Sequence, residues 1–210
     1  MNKIVASFGF IVGISALLLQ FSVSIPNSIN DGRSLIMSVV RYFSYFTILT
    51  NLTIVLIYTA DLFPRIGWLR ALRTPIARAT GASCIMLVGL FYFLILASLW
   101  KPEGLWLIAD VSLHYITPII YVVWFAIFHR SGSLKITRIP LMLIPPIIYL
   151  IYVMIRGAII GEYPYPTFEI FNIGLTQVAL NIASLVVFLA ALSAIAVGID
   201  RFSPTSKSNS

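Results

Sequence analysis

The chain has 210 residues, of which 60% are hydrophobic and 10% charged, and its mean hydropathy is +0.98. Soluble proteins carry about 25% charged residues, so this composition excludes an ordinary water-soluble fold. The net charge of +7 does not indicate binding to nucleic acid, because the basic residues are scattered in short segments between apolar runs. The single cysteine, Cys84, has no partner, which excludes an intramolecular disulfide.

Six apolar runs follow one another along the chain, at residues 4–24, 42–60, 79–99, 107–128, 139–155 and 175–199. A membrane-spanning helix needs about 20 mainly apolar residues, and none of the runs alternates as the strands of a membrane barrel do. We therefore predict an all-α integral membrane protein, with residues 1–202 forming one bundle of six transmembrane helices. The polar residues 203–210 are predicted to be a disordered tail.

Two of these runs have special features. The first begins after Lys3 like a signal peptide, but it is long and lacks a clear cleavage site, so we expect a retained helix. The fifth contains Pro140, Pro145 and Pro146, which predict a helix that begins irregularly and is kinked.

The distribution of basic residues predicts the orientation in the membrane. With six crossings, ten of the 14 Lys and Arg residues lie on the side that holds both termini, and four lie on the other side. Basic loops stay in the cytoplasm, so we expect both termini to be cytoplasmic and the protein to reside in a plasma membrane.

Three of the six runs carry polar side chains at helical spacing. They are Ser44, Thr47, Asn51 and Tyr58 in the second run, Asp110, His114, Thr117 and Tyr121 in the fourth, and Gln177, Asn181 and Ser184 in the sixth. Polar side chains that face lipid within a membrane-spanning helix cost free energy, so we expect the three stripes to face one another inside the bundle.

Thr47 and His114 are predicted to lie at one depth, about 8 and 10 Å from the outer ends of their helices at 1.5 Å per residue. A hydroxyl beside an imidazole can act as nucleophile and general base. Asp110, one turn before His114, is placed to orient the ring, and Asn51, one turn after Thr47, to donate to an oxyanion. From spacing alone, other readings stay open: Thr47 bonds its own backbone, His114 or Asn51 bridges two helices, and Asp110 is solvated near the outer surface.

The segment at 161–169 is the fifth loop, on the outer side with the predicted site. Its prolines and tyrosines are typical of a rigid turn with interfacial aromatic anchors. The functional alternative is a lid or substrate-binding loop that uses Tyr163, Tyr165 and Pro166. The sequence has no phosphate loop, dinucleotide glycine pattern or histidine-rich metal motif, so we expect neither cofactor nor metal.

Three segments, residues 45–52 (YFTILTNL), 113–118 (LHYITP) and 161–168 (GEYPYPTF), resemble the androgen-induced and androgen-dependent membrane hydrolase family, in particular its bacterial six-span members. The resemblance implies a threonine hydrolase acting on fatty acid esters of hydroxy fatty acids, with Thr47 as nucleophile and His114 as its partner. Ser44 and Thr50 remain alternative nucleophiles.

Two other functions compete with a hydrolase that binds a lipid substrate among membrane lipids. A small transporter or lipid-binding protein would use the polar stripes as a pathway, with a cavity open to both sides and an Asp110–His114 proton relay. The other alternative is a non-catalytic subunit or scaffold. The concentration of polar residues at one depth speaks against it, because a scaffold does not require them. The sequence leaves the oligomeric state open.

Overall fold

The computed structural model describes residues 1–202, and the predicted disordered tail lies outside them. Within this range the chain forms eight α-helices and no strand, which confirms the all-α prediction. The helices are α1 (Asn2–Asn30), α2 (Leu35–Tyr42), α3 (Phe46–Leu62), α4 (Pro75–Phe91), α5 (Gly104–Val111), α6 (Thr117–Phe128), α7 (Ile139–Ile160) and α8 (Ile170–Arg201). Two π-helical segments continue these helices. Tyr92–Leu96 extends α4, and Ser112–Ile116 joins α5 to α6.

Five continuous helical stretches in residues 1–202 are long and apolar enough to cross a membrane. They are Asn2–Asn30, Pro75–Leu96, Gly104–Phe128, Ile136–Ile160 and Ile170–Arg201. A sixth crossing is counted if α2 and α3, which are bent by 73° at a short break, form one span. These apolar helices indicate an integral, multi-pass membrane protein.

The bend between α2 and α3 differs from the single helix predicted for the second run. Ser44 lies in the break, where its hydroxyl donates to Val40 O (2.7 Å) and its carbonyl accepts from Tyr149 Oη (2.9 Å). Because the Ser44 carbonyl is hydrogen-bonded to Tyr149, the helix is interrupted here. It begins again at Phe46, which makes Thr47 the second residue of α3.

Local sequence explains the other helix ends near the site. Ser34 caps α2 by accepting a hydrogen bond from the Met37 amide. A 3-10 turn (Ile136–Arg138) precedes α7, in line with the irregular start predicted for the fifth run, and the helix then continues through Pro145 and Pro146. Gly161 ends α7 in the left-handed region, with φ of 77°, and the 161–169 loop begins at this residue.

Small residues allow the helices to approach one another closely. A Cβ on Gly9 would lie 2.5 Å from the Tyr58 ring, and one on Gly13 would lie 2.7 Å from Val55, so α1 packs directly along α3. Between lipid-facing helices there is little hydrophobic driving force, and close packing at small residues supplies association energy instead.

Both ends of the described chain meet at one end of the bundle. The Asn2 side chain accepts from Trp124 Nε1 (2.8 Å) and donates to Asp61, which also pairs with Arg78 and His129. Nearby, Asp200 accepts hydrogen bonds from the turn that follows α6. We name this the terminal end of the bundle.

Candidate functional site

Thr47 and His114 contact each other. Thr47 Oγ1 lies 3.3 Å from His114 Nε2, and the Thr47 side chain is buried within the bundle. Thr47 is held by the restart of α3, and His114 is the central residue of the π-helical segment Ser112–Ile116. π-helical turns are rare within α-helices, and those that occur are frequently found at functional sites.

The surroundings of His114 determine which ring nitrogen carries the proton. Nδ1 lies 3.0 Å from the Asp110 carbonyl oxygen and 3.2 Å from Asp110 Oδ1, and both of these atoms accept hydrogen bonds. We therefore assign the proton to Nδ1. Nε2 is then the free acceptor, aimed at the Thr47 hydroxyl, as a general base requires.

Tyr92 completes the support of His114. Its ring stacks on the imidazole, with centroids 4.0 Å apart and an interplanar angle of 17°, and its hydroxyl donates to the Asp110 carboxylate. Tyr92 begins the other π-helical segment, so the two irregular segments face each other at the site. Sequence reasoning missed Tyr92, because it lies in an apolar run with no polar neighbours at helical spacing.

Asn51 bridges the two helices that carry the site. Its amide nitrogen donates to Thr47 O (2.9 Å) and Leu113 O (3.2 Å), and its oxygen accepts from Thr117. Because both amide hydrogens are used, none is left for an oxyanion, and the role expected for Asn51 is corrected to a structural one. It fixes α3 against the π-helical segment.

The alternative hydroxyls do not contact His114. Ser44 is engaged with Val40 O and Tyr152 Oη. Thr50 is buried but lines neither of the cavities described below. Among the three candidates, Thr47 is the one within hydrogen-bonding distance of the imidazole.

The 161–169 loop lies partly over the site. Tyr165 is buried, and its hydroxyl oxygen accepts from the Thr47 amide at 3.4 Å. Pro166 lines the adjoining cavity. Tyr163 lines neither cavity and instead packs against Gly157 and Phe171, so the three residues of the predicted lid separate into two at the site and one beside it.

Two cavities meet at the dyad, and both are lined by Thr47, His114, Leu96 and Tyr165. One is a narrow crevice of about 70 Å³ between α3, α4, α7 and α8, whose other walls are apolar, including Leu143, Val186 and Leu189. We name it the apolar crevice. The second is a chamber of about 600 Å³ whose walls include Gln20, Asn27, Asp31, Arg41 and Asp110, and we name it the polar chamber.

The polar stripe predicted on the sixth run does not face the other two. Gln177 and Ser184 are exposed, and Asn181 donates to the Thr167 carbonyl in the 161–169 loop. This prediction was wrong in direction only: the residues do share one face of α8, where Gln177 donates to Asn181 (3.0 Å), but that face is turned toward the 161–169 loop and the surface of the bundle. The stripe therefore supports the loop and does not line the site.

The end of the bundle near the polar chamber, opposite the terminal end, carries excess positive charge. Glu162 is approached by Arg41 (2.7 Å), Arg33 (3.5 Å) and Arg156 (3.9 Å), and Arg33 also pairs with Asp31. Three guanidinium groups thus face two carboxylates. In the described residues, no group of three or more His, Cys, Asp or Glu side chains is placed to hold a metal ion.

The terminal end of the bundle is filled. Below the dyad, the side chains of Ile57, Tyr58, Tyr121 and Trp124 are at most 1% exposed. They separate the site from the Asp61, Arg78 and His129 cluster. The cavities therefore lie in the half of the bundle that holds the 161–169 loop.

Comparison of the chain with family models, with curated proteins and with solved structures gave no match. The family resemblance thus rests on the three short segments quoted above and stays a prediction.

Proposed function

We propose that this protein is an intramembrane threonine hydrolase that cleaves lipid esters, with Thr47 as nucleophile and His114 as general base. The observation that carries the proposal is the alignment of Thr47 Oγ1, His114 Nε2 and the two Asp110 oxygens on Nδ1. This is the arrangement in which an imidazole accepts a proton from a hydroxyl while a third group holds its tautomer.

The reaction follows the double displacement of acyl transfer. Thr47 Oγ1 attacks the ester carbonyl while His114 Nε2 takes the hydroxyl proton. The tetrahedral intermediate collapses, the bond to the alcohol oxygen breaks, and His114 returns the proton to that oxygen. Water then attacks the acyl-threonine with His114 again as base, which releases the carboxylic acid and restores Thr47.

The two cavities support a lipid ester as the substrate. The apolar crevice is narrow and suits the part of an unbranched acyl chain next to the ester carbonyl, whereas the polar chamber has room for the alcohol half of the ester. Because the cavities join at Thr47, an ester that occupies both has its carbonyl beside the nucleophile. Apolar walls with few polar groups are typical of such ligand sites.

The charge near the polar chamber supports an alcohol half that carries a carboxylate. Arg41 lines the chamber, and at the end of the chamber away from Asp110 three arginines, Arg33, Arg41 and Arg156, face only Asp31 and Glu162. Fatty acid esters of hydroxy fatty acids, the substrates that the family resemblance implies, have such a free carboxylate. We propose this class as the substrate.

For the membrane arrangement we propose six crossings, with α2 and α3 as one broken span and both termini in the cytoplasm of a plasma membrane. Asn2 and Asp200 lie at the same, terminal end of the bundle, which supports an even number of crossings. In this orientation the dyad faces the outer leaflet, and the basic residues follow the positive-inside rule.

The filled terminal end favours a hydrolase over the transporter alternative. A transport pathway needs access from both sides, but the aromatic core of Tyr58, Tyr121 and Trp124 occupies the bundle below the dyad. A hydrolase needs one opening only.

The test is covalent labelling of the purified protein in detergent with a lipophilic fluorophosphonate, followed by mapping of the modified peptide. We expect labelling at Thr47 and hydrolysis of a long-chain ester by the wild type. Both should be lost in Thr47→Ala and His114→Ala, which remove the nucleophile and the base.

The matched control is Thr53→Ala. Thr53 lies on the same helix, is exposed, and bonds only its own backbone at Leu49 O, so labelling should not change. A label on Ser44 or Thr50 would keep the hydrolase and move the nucleophile. A folded wild type that neither labels nor hydrolyses any ester would contradict the proposal.

A further inference from the structure

Tyr165 is placed against the nucleophile by aromatic packing. Its ring meets Tyr45, Phe168 and Phe91 edge to face, with centroid distances of 5.9, 5.8 and 6.3 Å. The side chain is 9% exposed, and it lines both cavities at their junction. A tyrosine in such a position contributes more than a lid, because its one polar atom points at the reacting groups.

The hydroxyl of Tyr165 meets the N-terminus of α3. Thr47 is the second residue of that helix, so its amide has no partner within the helix, and it donates to Tyr165 Oη at 3.4 Å. The tyrosine oxygen thus acts as an acceptor, and its O–H lies beside the side chains of Thr47 and Tyr149, with which it can exchange hydrogen bonds. Because Tyr165 lines both cavities at their junction, a ligand oxygen that enters there can take the hydrogen of this O–H.

Resting on the hydrolase function above, we propose that Tyr165 is a third catalytic residue, whose O–H donates to the substrate carbonyl oxygen and stabilises the oxyanion. Asn51, the donor expected from the sequence, has used both amide hydrogens on carbonyls. The Tyr165 O–H is not committed to a backbone carbonyl, and it lies beside the Thr47 backbone where the cavities join.

The chemistry matches the demands of the first step. When Thr47 Oγ1 bonds to the carbonyl carbon, an electron pair moves to the carbonyl oxygen, and the Tyr165 O–H donates to it without transferring its proton. The Thr47 amide, which donates to Tyr165 Oη, and the positive end of the α3 dipole make the Tyr165 O–H a stronger hydrogen-bond donor. When the intermediate collapses, the pair returns to the carbonyl and the hydrogen bond weakens. A donor that binds more strongly in the transition state raises kcat and leaves KM largely unchanged.

The test is Tyr165→Phe in the full chain, assayed with a long-chain ester and with two inhibitors. The phenyl ring keeps the packing against Tyr45, Phe91 and Phe168 and loses only the hydroxyl. We expect kcat to fall about 10²-fold at nearly constant KM. Affinity for a lipid trifluoromethyl ketone, which forms an oxyanion on Thr47, should fall by a similar factor. Affinity for a non-hydrolysable ether analogue, which forms none, should stay the same and also reports correct folding.

The matched control is Tyr115→Phe. Tyr115 follows His114 in the chain but lines neither cavity, so its removal should change none of the three readouts. An active wild type with unchanged kcat and ketone affinity in Tyr165→Phe overturns this inference and leaves the hydrolase standing. A parallel loss of ketone and ether affinity also overturns it, since that pattern reports a packing role. A wild type that neither hydrolyses esters nor labels at Thr47 overturns both proposals.

Discussion

The Tyr92 ring stacks on the His114 imidazole at a centroid distance of 4.0 Å, while its hydroxyl donates to Asp110, the residue that holds the other side of the same imidazole. One side chain thus supports the base through its ring and the carboxylate through its hydroxyl. Tyr92 begins one π-helical segment, and His114 is the central residue of the other.

The two contacts of Tyr92 can be separated by substitution. Tyr92→Phe keeps the stack and loses one hydrogen bond, so we expect kcat to fall about 5-fold, the equivalent of about 1 kcal/mol. Tyr92→Leu also loses the stack and should lower kcat further. Steady-state kinetics of both variants provide the measurement, and a fully active Tyr92→Leu would show that the stacking is incidental.

Substitution of Asp110 tests how the tautomer of His114 is held. In Asp110→Asn the backbone carbonyl still accepts from Nδ1, so the ring should keep its orientation and lose only the charge that stabilises the imidazolium. We expect kcat to fall about 10- to 100-fold, less than the roughly 10⁴-fold loss known for the equivalent change in a serine protease triad.

The control for Asp110 is Asp61→Asn, because Asp61 also faces a histidine, His129, but at the terminal end. This variant should unfold at a lower temperature and keep its rate per folded molecule. Equal losses of activity in the two variants would show that Asp110 acts through stability alone.

Gly157 positions the loop that carries Tyr165. A Cβ at this residue would lie 2.0 Å from the Tyr163 ring, so Gly157→Ala must displace Tyr163 and the loop with it. We expect a clear loss of ester hydrolysis with Thr47 and His114 unchanged. Gly198→Ala is the control, because nothing lies within 4 Å of that Cβ, and it should leave activity intact. Full activity in Gly157→Ala would argue against a loop contribution.

The apolar crevice should determine acyl-chain length. Leu189→Trp places a larger side chain in its wall, so kcat/KM for long-chain esters should fall at least about tenfold relative to short-chain esters. Val187→Trp, on the exposed face of the same helix, should leave the ratio unchanged. If both chain lengths are affected equally, the acyl chain lies elsewhere.

Arg41 should recognise the carboxylate of the alcohol half. For Arg41→Gln we expect KM to rise about tenfold for the free acid of a fatty acid ester of a hydroxy fatty acid, since a charge-assisted hydrogen bond is lost. The methyl ester of the same substrate should be unaffected. Arg138→Gln, at the other end of the bundle, serves as the control. An equal effect on acid and methyl ester would exclude recognition of the charge.

The sequence by itself determined the class of the protein and the identity of the dyad candidates. The apolar runs have no soluble interpretation, so the all-α membrane fold follows from the cost of unpaired backbone groups in lipid. Thr47 and His114 could be paired in advance because helical rise converts residue number into depth.

Only the tertiary structure decided how the residues around the dyad are arranged. The restart of α3 at Phe46 depends on Tyr149, which is 105 positions from Ser44, and the two π-helical segments depend on packing between distant helices. Asn51, Tyr92 and Tyr165 acquire their roles from these long-range contacts. Helical periodicity describes neighbours within one helix only. It therefore predicted a polar stripe on α8 that turns away from the site, and it could not reveal that Tyr165 lies beside Thr47.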